Sequence, residues 1–275
     1  DPARGREELN KIDCYGNGTW DGSGQPLGPW PSEGGTMRSY MRRKPQPLED
    51  FEALVRAVNM KLQEEGYKPL LEVEFIGARL YTGPMFRKYN TILRSVGSED
   101  KGMVEKMKAL VKANHYTTTI HVINSCIVKL GHLMKAHKVY RGISGARLPR
   151  EFTTRSEKSG VRGGIEFGFS STTLDKEVAL TYAGKRGLGG IVYEIQMGMI
   201  DRGADISWLS QYPHEKEILF APLTGLEMIS CWQKKDPKSH NDVTFIELRL
   251  SINLTNKTIE EVQAKMQSAH LQLLD

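Results

Sequence analysis

Two patterns of hydrophobic residues divide the chain near residue 138. Before that point, apolar residues recur every three or four positions, the spacing of one face of an α-helix. This spacing predicts helices at 48–66, about 84–96, 101–113 and 116–136. From Lys138 onward, short apolar runs alternate with glycine-containing turns, which is typical of strands. The predicted strands are 138–142, 165–173, 190–197, 215–220, 225–232 and 243–252, with one helix at 175–184 between them.

The two ends of the chain differ from the region between them. Residues 1–46 are rich in Gly, Pro and Trp and show no periodicity, so we expect a surface segment or linker there. Thr258 and Glu261 have the spacing of a capping box and predict a final helix at about 258–274. The order of elements favours an α+β domain over 47–275, with a helical lobe at about 47–137 and an antiparallel sheet core at about 138–254.

Composition narrows the classes of function. Hydrophobic residues make up 39% and charged residues 26%, as in soluble globular proteins, and no apolar run approaches the roughly 18 residues of a membrane span. The net charge of +5 suits an anionic ligand. The only compact basic run is Arg42–Lys44, so nucleic-acid binding is not expected.

The cysteine and histidine residues indicate whether the chain binds a metal and whether it works in a reducing compartment. The three cysteines, Cys14, Cys126 and Cys231, are far apart, and no His-Glu-x-x-His pattern occurs. We therefore expect no metal site and no disulfide framework. Together with the lack of a signal-peptide pattern, this favours a reducing, cytoplasmic setting.

Two short segments of the sheet region carry candidate ligand-binding groups. Arg141 and Gly142 end the first predicted strand, where a guanidinium offers a fork of donors for phosphate oxygens and a glycine lets a ligand approach the backbone. The segment Ser170–Thr173 is a run of hydroxyl side chains that can brace polar neighbours. Each segment also has an ordinary explanation, as a surface ion pair or as a threonine-rich strand.

A pair of glutamates opens the strand predicted at 215–220. Residues two apart on a strand face the same side, about 6.6–6.8 Å apart, so Glu215 and Glu217 are expected to project together while Lys216 points away. Neighbouring carboxylates separate each other's proton affinities, so that one remains ionised while the other transfers protons. A solvated strand end with alternating charges is the ordinary alternative.

Taken in order, these segments resemble the R-S-E group of ADP-ribosyltransferases, which includes cholera-toxin-like, actin-modifying and vertebrate arginine-specific enzymes. The resemblance rests on three elements in the family's order, Arg141, then Ser171-Thr172-Thr173, then Glu215-Lys216-Glu217. Further similarities lie at Tyr81-Thr82, Asn90–Arg94 and Gly225–Met228, and the likeness spans about 75–252. Thr173 departs from the family's Ser-Thr-Ser motif.

The resemblance implies a split antiparallel β-sandwich with NAD⁺ bound across its cleft as co-substrate. Arg141 would hold the pyrophosphate or the adjacent ribose, the Gly142 backbone would meet the nicotinamide carboxamide, and Ser171 and Thr172 would complete the NAD⁺ site. Ser171 would orient Glu217, which would bond the ribose and stabilise its oxocarbenium character.

The resemblance also implies how the acceptor is engaged. Glu215 would bind the acceptor guanidinium and help remove its proton, because in this family a Glu at that position accompanies arginine acceptors. The turn from Trp208 to His214 would contact the acceptor protein, with Tyr212 as the contacting aromatic residue. The implied partner is therefore a protein with an exposed arginine.

Two other functions fit the same residues. An NAD⁺ glycohydrolase would pass ADP-ribose to water with the same site. A non-catalytic domain would bind NAD⁺ or a protein without turnover, although the presence of Arg141, Ser171 and Glu217 argues against it.

Overall fold

The computed structural model describes residues 47–264, except for 97, 99, 112–113, 146–147, 149, 158–159, 185–189, 236–241 and 252–256. The predicted N-terminal segment 1–46 and residues 265–274 of the predicted final helix lie outside the described part. The chain divides into two compact units. Of the described residues, one unit contains those of 47–129, 206–214 and 257–264, and the other contains those of 130–205 and 215–256.

Helices form most of the described part of the first unit, as the 3.6-residue spacing predicts. They are α1 (Leu48–Glu64), α2 (Glu72–Leu80), α3 (Phe86–Ser95), α4 (Lys101–Val111), α5 (Thr117–Gly131) and α8 (259–264). A helical turn at Tyr81–Met85 joins α2 to α3, and the backbone leaves helical geometry at Gly83, just before Pro84. The capping box predicted for α8 is confirmed, since Thr258 N–H donates to Glu261 and Glu261 N–H donates to Thr258 Oγ1.

A buried ion pair supports the interior of this helical unit. Lys129 Nζ lies 2.9 Å from Glu74 Oε2 and 2.7 Å from Glu260 Oε1, and it also donates to the carbonyl of Pro69. Glu74 accepts a further hydrogen bond from the hydroxyl of Ser125. These partners satisfy two charges that are almost fully withdrawn from water, which is the condition for burying them. Periodicity did not predict α2, the helix that carries Glu74.

The second unit is built on one eight-stranded sheet in the order β2-β7-β8-β4-β1-β3-β6-β5. The strands are β1 (Lys138–Ser144), β2 (Gly163–Glu166), β3 (Ser170–Thr173), β4 (Gly190–Gln196), β5 (Ala204–Asp205), β6 (Glu217–Phe220), β7 (Thr224–Lys235) and β8 (Asp242–Ser251). All neighbouring pairs are antiparallel except β4 with β8. The expected α+β class is confirmed.

Helices α6 (Arg150–Thr153) and α7 (Lys176–Gly184) accompany the sheet. The period-two pattern of β4 separates two clusters, because Ile191 and Ile195 pack with Phe152 of α6, whereas Val192 packs with Ala179 and Ala183 of α7. Helix α6 was not predicted. The strand predicted at 165–173 is wrong as one element, since β2 and β3 are separate strands with 167–169 between them. In the described part of the chain, no helix has both the length and the apolar character needed to cross a bilayer.

Candidate active site

The sheet opens where β1 separates from β3. These strands share one register pair, Tyr140 with Thr173, whereas β1 pairs with β4 along its whole length. Within the described residues, Arg141 to Ser144 are therefore paired with β4 alone. Backbone groups on the other edge of this stretch are available to a ligand, as at any unpaired strand edge.

Glu217 begins β6, beside the hydroxyl-rich strand β3. Ser171 pairs with Leu219 in the register, and residues two apart share a face, so Glu217 lies on the same side as Ser171. Ser171 Oγ donates to Glu217 Oε1 over 2.6 Å, and Glu217 is 6% exposed. A buried carboxylate held by a charge-assisted hydrogen bond has a fixed orientation. The contact that the sequence predicts between these two side chains is present.

Arg141 lies on β1 and is held by a serine that the sequence patterns do not single out. Its Nη1 donates to Ser170 Oγ over 2.6 Å, and Ser170 is buried. Across the sheet, Arg141 pairs with Tyr193, whose ring stacks on Phe152. Burial raises the pKa of Tyr193 and Glu166 raises it further, while the Arg141 guanidinium opposes the rise. The Tyr193 phenol is therefore neutral, and it lies within the electrostatic influence of both Arg141 and Glu166.

The prediction that Glu215 and Glu217 share one strand face is wrong. Glu215 ends a single helical turn, Pro213–Glu215, and strand β6 begins only at Glu217. Lys216 between them has a φ of 45°, a left-handed conformation that breaks the alternation of side chains. Pro213 also lacks the N–H that a strand ladder requires. The two carboxylates have different partners, since Glu215 Oε1 accepts the hydroxyl of Tyr182 over 2.6 Å.

Gly142 has a packing role that the sequence patterns do not predict. A Cβ at this position would lie 1.8 Å from the carbonyl oxygen of Ala179, so the missing side chain allows α7 to pack directly on β1. The glycine thus serves helix packing. Its backbone belongs to the part of β1 that pairs with β4 alone.

The remaining hydroxyls of β3 contact the protein rather than an open cleft. Thr172 is buried and its Oγ1 donates to the carbonyl of Ile218 over 2.8 Å, which braces β3 against β6. Thr173 Oγ1 accepts the N–H of Asp175 at the start of α7. The expected contact of the Thr172 side chain with NAD⁺ is therefore not supported, since this side chain is buried with its own partner.

Tyr212 does not present its ring to an acceptor. It is 5% exposed, and its ring meets the His214 ring edge-on, with 6.2 Å between the two ring centroids. Trp208, in the same predicted turn, is more exposed. The segment 206–214 is fastened to the helices of its own unit, since Arg79 donates to the carbonyl of Leu209 and Gln211 N–H donates to Thr82 Oγ1.

The Tyr81-Thr82 and Asn90 elements of the helical lobe are structural in this chain. Thr82 and Asn90 are buried, and Asn90 Nδ2 donates to the hydroxyl of Tyr81 over 3.3 Å. Together with the Thr82 contact to Gln211, these bonds connect the turn 81–85 to α3 and to the segment 206–214. As for metals, the described residues contain no group of three or more His, Cys, Asp or Glu side chains that could hold an ion.

Comparison with known proteins gives a family match and several similar folds. The model of the NAD:arginine ADP-ribosyltransferase family matches residues 59–248, more than half of the chain. No curated protein matches significantly.

Similar solved structures include two ADP-ribosyltransferases and an exoenzyme bound to an NAD analogue. HopU1 of Pseudomonas syringae pv. tomato DC3000 is 24% identical, with a TM-score of 0.44. The match covers 60% of this chain and 66% of HopU1, so this chain spans just under two thirds of that protein. Exoenzyme S from Pseudomonas aeruginosa, solved with human 14-3-3 protein beta and bound to carba-NAD, is 21% identical over 79% and 92%, with a TM-score of 0.44. An ADP-ribosyltransferase from Clostridium botulinum is 17% identical over 76% and 98%, with a TM-score of 0.43.

Proposed function

The chain belongs to the NAD:arginine ADP-ribosyltransferase family, and from that premise we propose that it transfers ADP-ribose from NAD⁺ to arginine side chains of an acceptor protein. The observation that carries the proposal is the buried Glu217 held by Ser171, with a second glutamate, Glu215, two residues earlier. Glu215, the first glutamate of Glu215-Lys216-Glu217, is the feature that favours arginine among the acceptors of this family.

The groups around Arg141 fit the donor NAD⁺. Its guanidinium matches the geometry and charge of a pyrophosphate, and Ser170 holds it in place. The backbone edge of 141–144, which pairs with β4 alone among the described residues, is available to a polar ligand on its other side. The donor would thus lie along β1, where the sheet opens.

Glu217 would supply the electrostatic part of the reaction. Its carboxylate, oriented by Ser171, would stabilise the positive charge that develops on the ribose as the bond to nicotinamide breaks. Nicotinamide leaves neutral with the electron pair of that bond. Because Glu217 is almost fully buried, little water screens this interaction.

Glu215 would act on the acceptor. Its carboxylate would bind the incoming guanidinium and receive the proton that this group loses as the new carbon–nitrogen bond forms. Glu215 is less buried than Glu217, as a group that meets a second substrate needs to be. Transfer to water needs only the first of these two roles, so a variant without the Glu215 carboxylate would retain some hydrolysis.

Labelled NAD⁺ tests the proposal when it is incubated with the protein and agmatine, a small guanidinium acceptor, or poly-arginine. Labelled acceptor is the expected product. Free ADP-ribose with no labelled acceptor would identify a glycohydrolase, and no nicotinamide release under any condition would identify a binding domain without turnover.

A further inference from the structure

Glu215 and Lys216 are attached to α7 and to the two residues that precede it by three contacts. Tyr182 donates its phenolic hydrogen to Glu215 Oε1 over 2.6 Å. The N–H of Leu174 donates to the carbonyl of Lys216 over 3.3 Å. Lys216 Nζ lies 3.8 Å from Asp175 Oδ2, an exposed and correspondingly weak pair. Of the three, only the Tyr182 contact reaches the Glu215 carboxylate.

Helix α7 is a rigid support for Tyr182. Ala179 and Ala183 of this helix are almost fully buried against the sheet, and the carbonyl of Ala179 lies close above Gly142. Near its first turn, Lys176 Nζ lies 2.5 Å from the buried Glu194. Tyr182 adjoins Ala183 and is half-buried, so its hydroxyl projects from a fixed backbone. A side chain mounted on a packed helix holds its partner more accurately than one on a loop.

Strand geometry cannot position Glu215. It lies outside β6, and the left-handed backbone of Lys216 separates it from the strand. The Ser171 contact that orients Glu217 involves a different carboxylate. The orientation of the Glu215 carboxylate therefore depends on the groups that contact it from outside the strand.

We propose that Tyr182 is a positioning residue that aims the Glu215 carboxylate at the acceptor guanidinium, and so favours transfer over hydrolysis. The inference rests on the proposed function, because it assumes that Glu215 meets the acceptor. One oxygen of the carboxylate accepts the hydrogen bond from the phenol, which limits rotation of the group. Without the phenol, the Glu215 carboxylate would lose one of the groups that orient it and would spend less time in the productive rotamer.

The test is Tyr182→Phe, which removes one oxygen atom and leaves the ring. With labelled NAD⁺ and agmatine, the measured quantity is the ratio of ADP-ribosyl-agmatine to free ADP-ribose, together with kcat and KM for each substrate. We expect kcat/KM for agmatine to fall by about tenfold to a hundredfold, the range for loss of a hydrogen bond to a charged group. Hydrolysis without agmatine and the KM for NAD⁺ should stay within about twofold of the wild type.

The product ratio separates positioning from a merely structural role. Partial unfolding or a general distortion of the site would lower both products together and leave their ratio unchanged, which would overturn the proposal. Thermal unfolding of each variant provides a second readout that is independent of activity. Tyr67→Phe, which removes the hydroxyl of an exposed tyrosine in the helical unit, is the matched control and should leave the ratio unchanged.

The proposed function is tested by the wild-type protein alone, so its failure can be distinguished from failure of the positioning role of Tyr182. If the wild type labels agmatine and Tyr182→Phe gives the same ratio, the positioning role is wrong and the proposed function stands. If the wild type releases nicotinamide without labelling agmatine or poly-arginine, the arginine acceptor is wrong, and the positioning role is wrong with it.

Discussion

Replacing Ser171 with alanine removes the hydroxyl that fixes Glu217. The hydrogen bond spans 2.6 Å and ends on a carboxylate that is 6% exposed, so solvent cannot fully replace it. Hydrogen bonds to charged groups contribute about 1.5–3 kcal/mol. If that amount is lost from the transition state, kcat/KM falls by about tenfold to a hundredfold, at about 1.4 kcal/mol for each factor of ten.

The assay for Ser171→Ala follows both nicotinamide release without acceptor and transfer to agmatine. Both rates should fall by the same factor, because Glu217 acts before the ribose meets either water or a guanidinium. This parallel loss distinguishes Ser171 from Tyr182, for which only transfer is expected to fall.

A matched control exists near the opposite edge of the same sheet. Ser230 Oγ donates to Glu247 Oε2 over 2.8 Å between β7 and β8, the same pair of residue types at a similar distance. Ser230→Ala should leave both rates unchanged. If Ser171→Ala behaved like Ser230→Ala, or if it lowered transfer alone, the reasoning about Glu217 would be refuted.

Two further predictions concern stability. Gly142→Ala should lower the free energy of unfolding, measured by urea titration, by about 1–3 kcal/mol, because its Cβ would meet the backbone of α7. Gly184→Ala is the control and should be nearly neutral, because a Cβ there meets no atom within 4 Å. Equal effects of the two substitutions would count against the packing explanation. Burial is the largest single influence and opposes ionisation of Glu260, but the hydrogen bond and charge of Lys129, the backbone N–H of Glu260 and the Thr258 hydroxyl together hold its pKa below the ordinary value of 4.5. A lowered pKa stabilises the fold above pH 4.5, and this contribution is lost as the pH falls through the folded value. The stability difference between wild type and Glu260→Gln should therefore be largest near neutral pH and shrink as the pH falls below 4.5, and a difference that does not vary with pH would contradict the ion pair's role.

Much of the fold could be predicted from periodicity. The two-residue period of β4 and the three-to-four-residue period of α1 and α5 each reflect one buried face, so pattern and structure agree there. Helix α2 was missed because its buried face includes Glu74, whose charge is compensated by Lys129, a residue 55 positions further along the chain. Hydrophobicity alone does not predict a buried ion pair between distant residues.

The candidate site was predicted only where it lies on strands. The contact between Ser171 and Glu217 was implied by the family resemblance, and it forms because β3 and β6 pair and put the two side chains on one face. Glu215 was assigned to the wrong element because Lys216, which is not a glycine, adopts a left-handed conformation that its residue type does not indicate. Ser170 and Tyr182 were missed for a related reason. Their roles depend on which charged group lies opposite, and only the folded chain brings those groups together.

The most direct test of the central claim is nicotinamide release by Glu217→Gln, measured with labelled NAD⁺ in the presence and absence of agmatine. The amide keeps the size of the side chain but removes the negative charge that would stabilise the ribose. We expect unchanged thermal unfolding, no ADP-ribosyl-agmatine and no free ADP-ribose above the uncatalysed rate. A folded Glu217→Gln protein that releases nicotinamide at a rate close to that of the wild type would contradict the account.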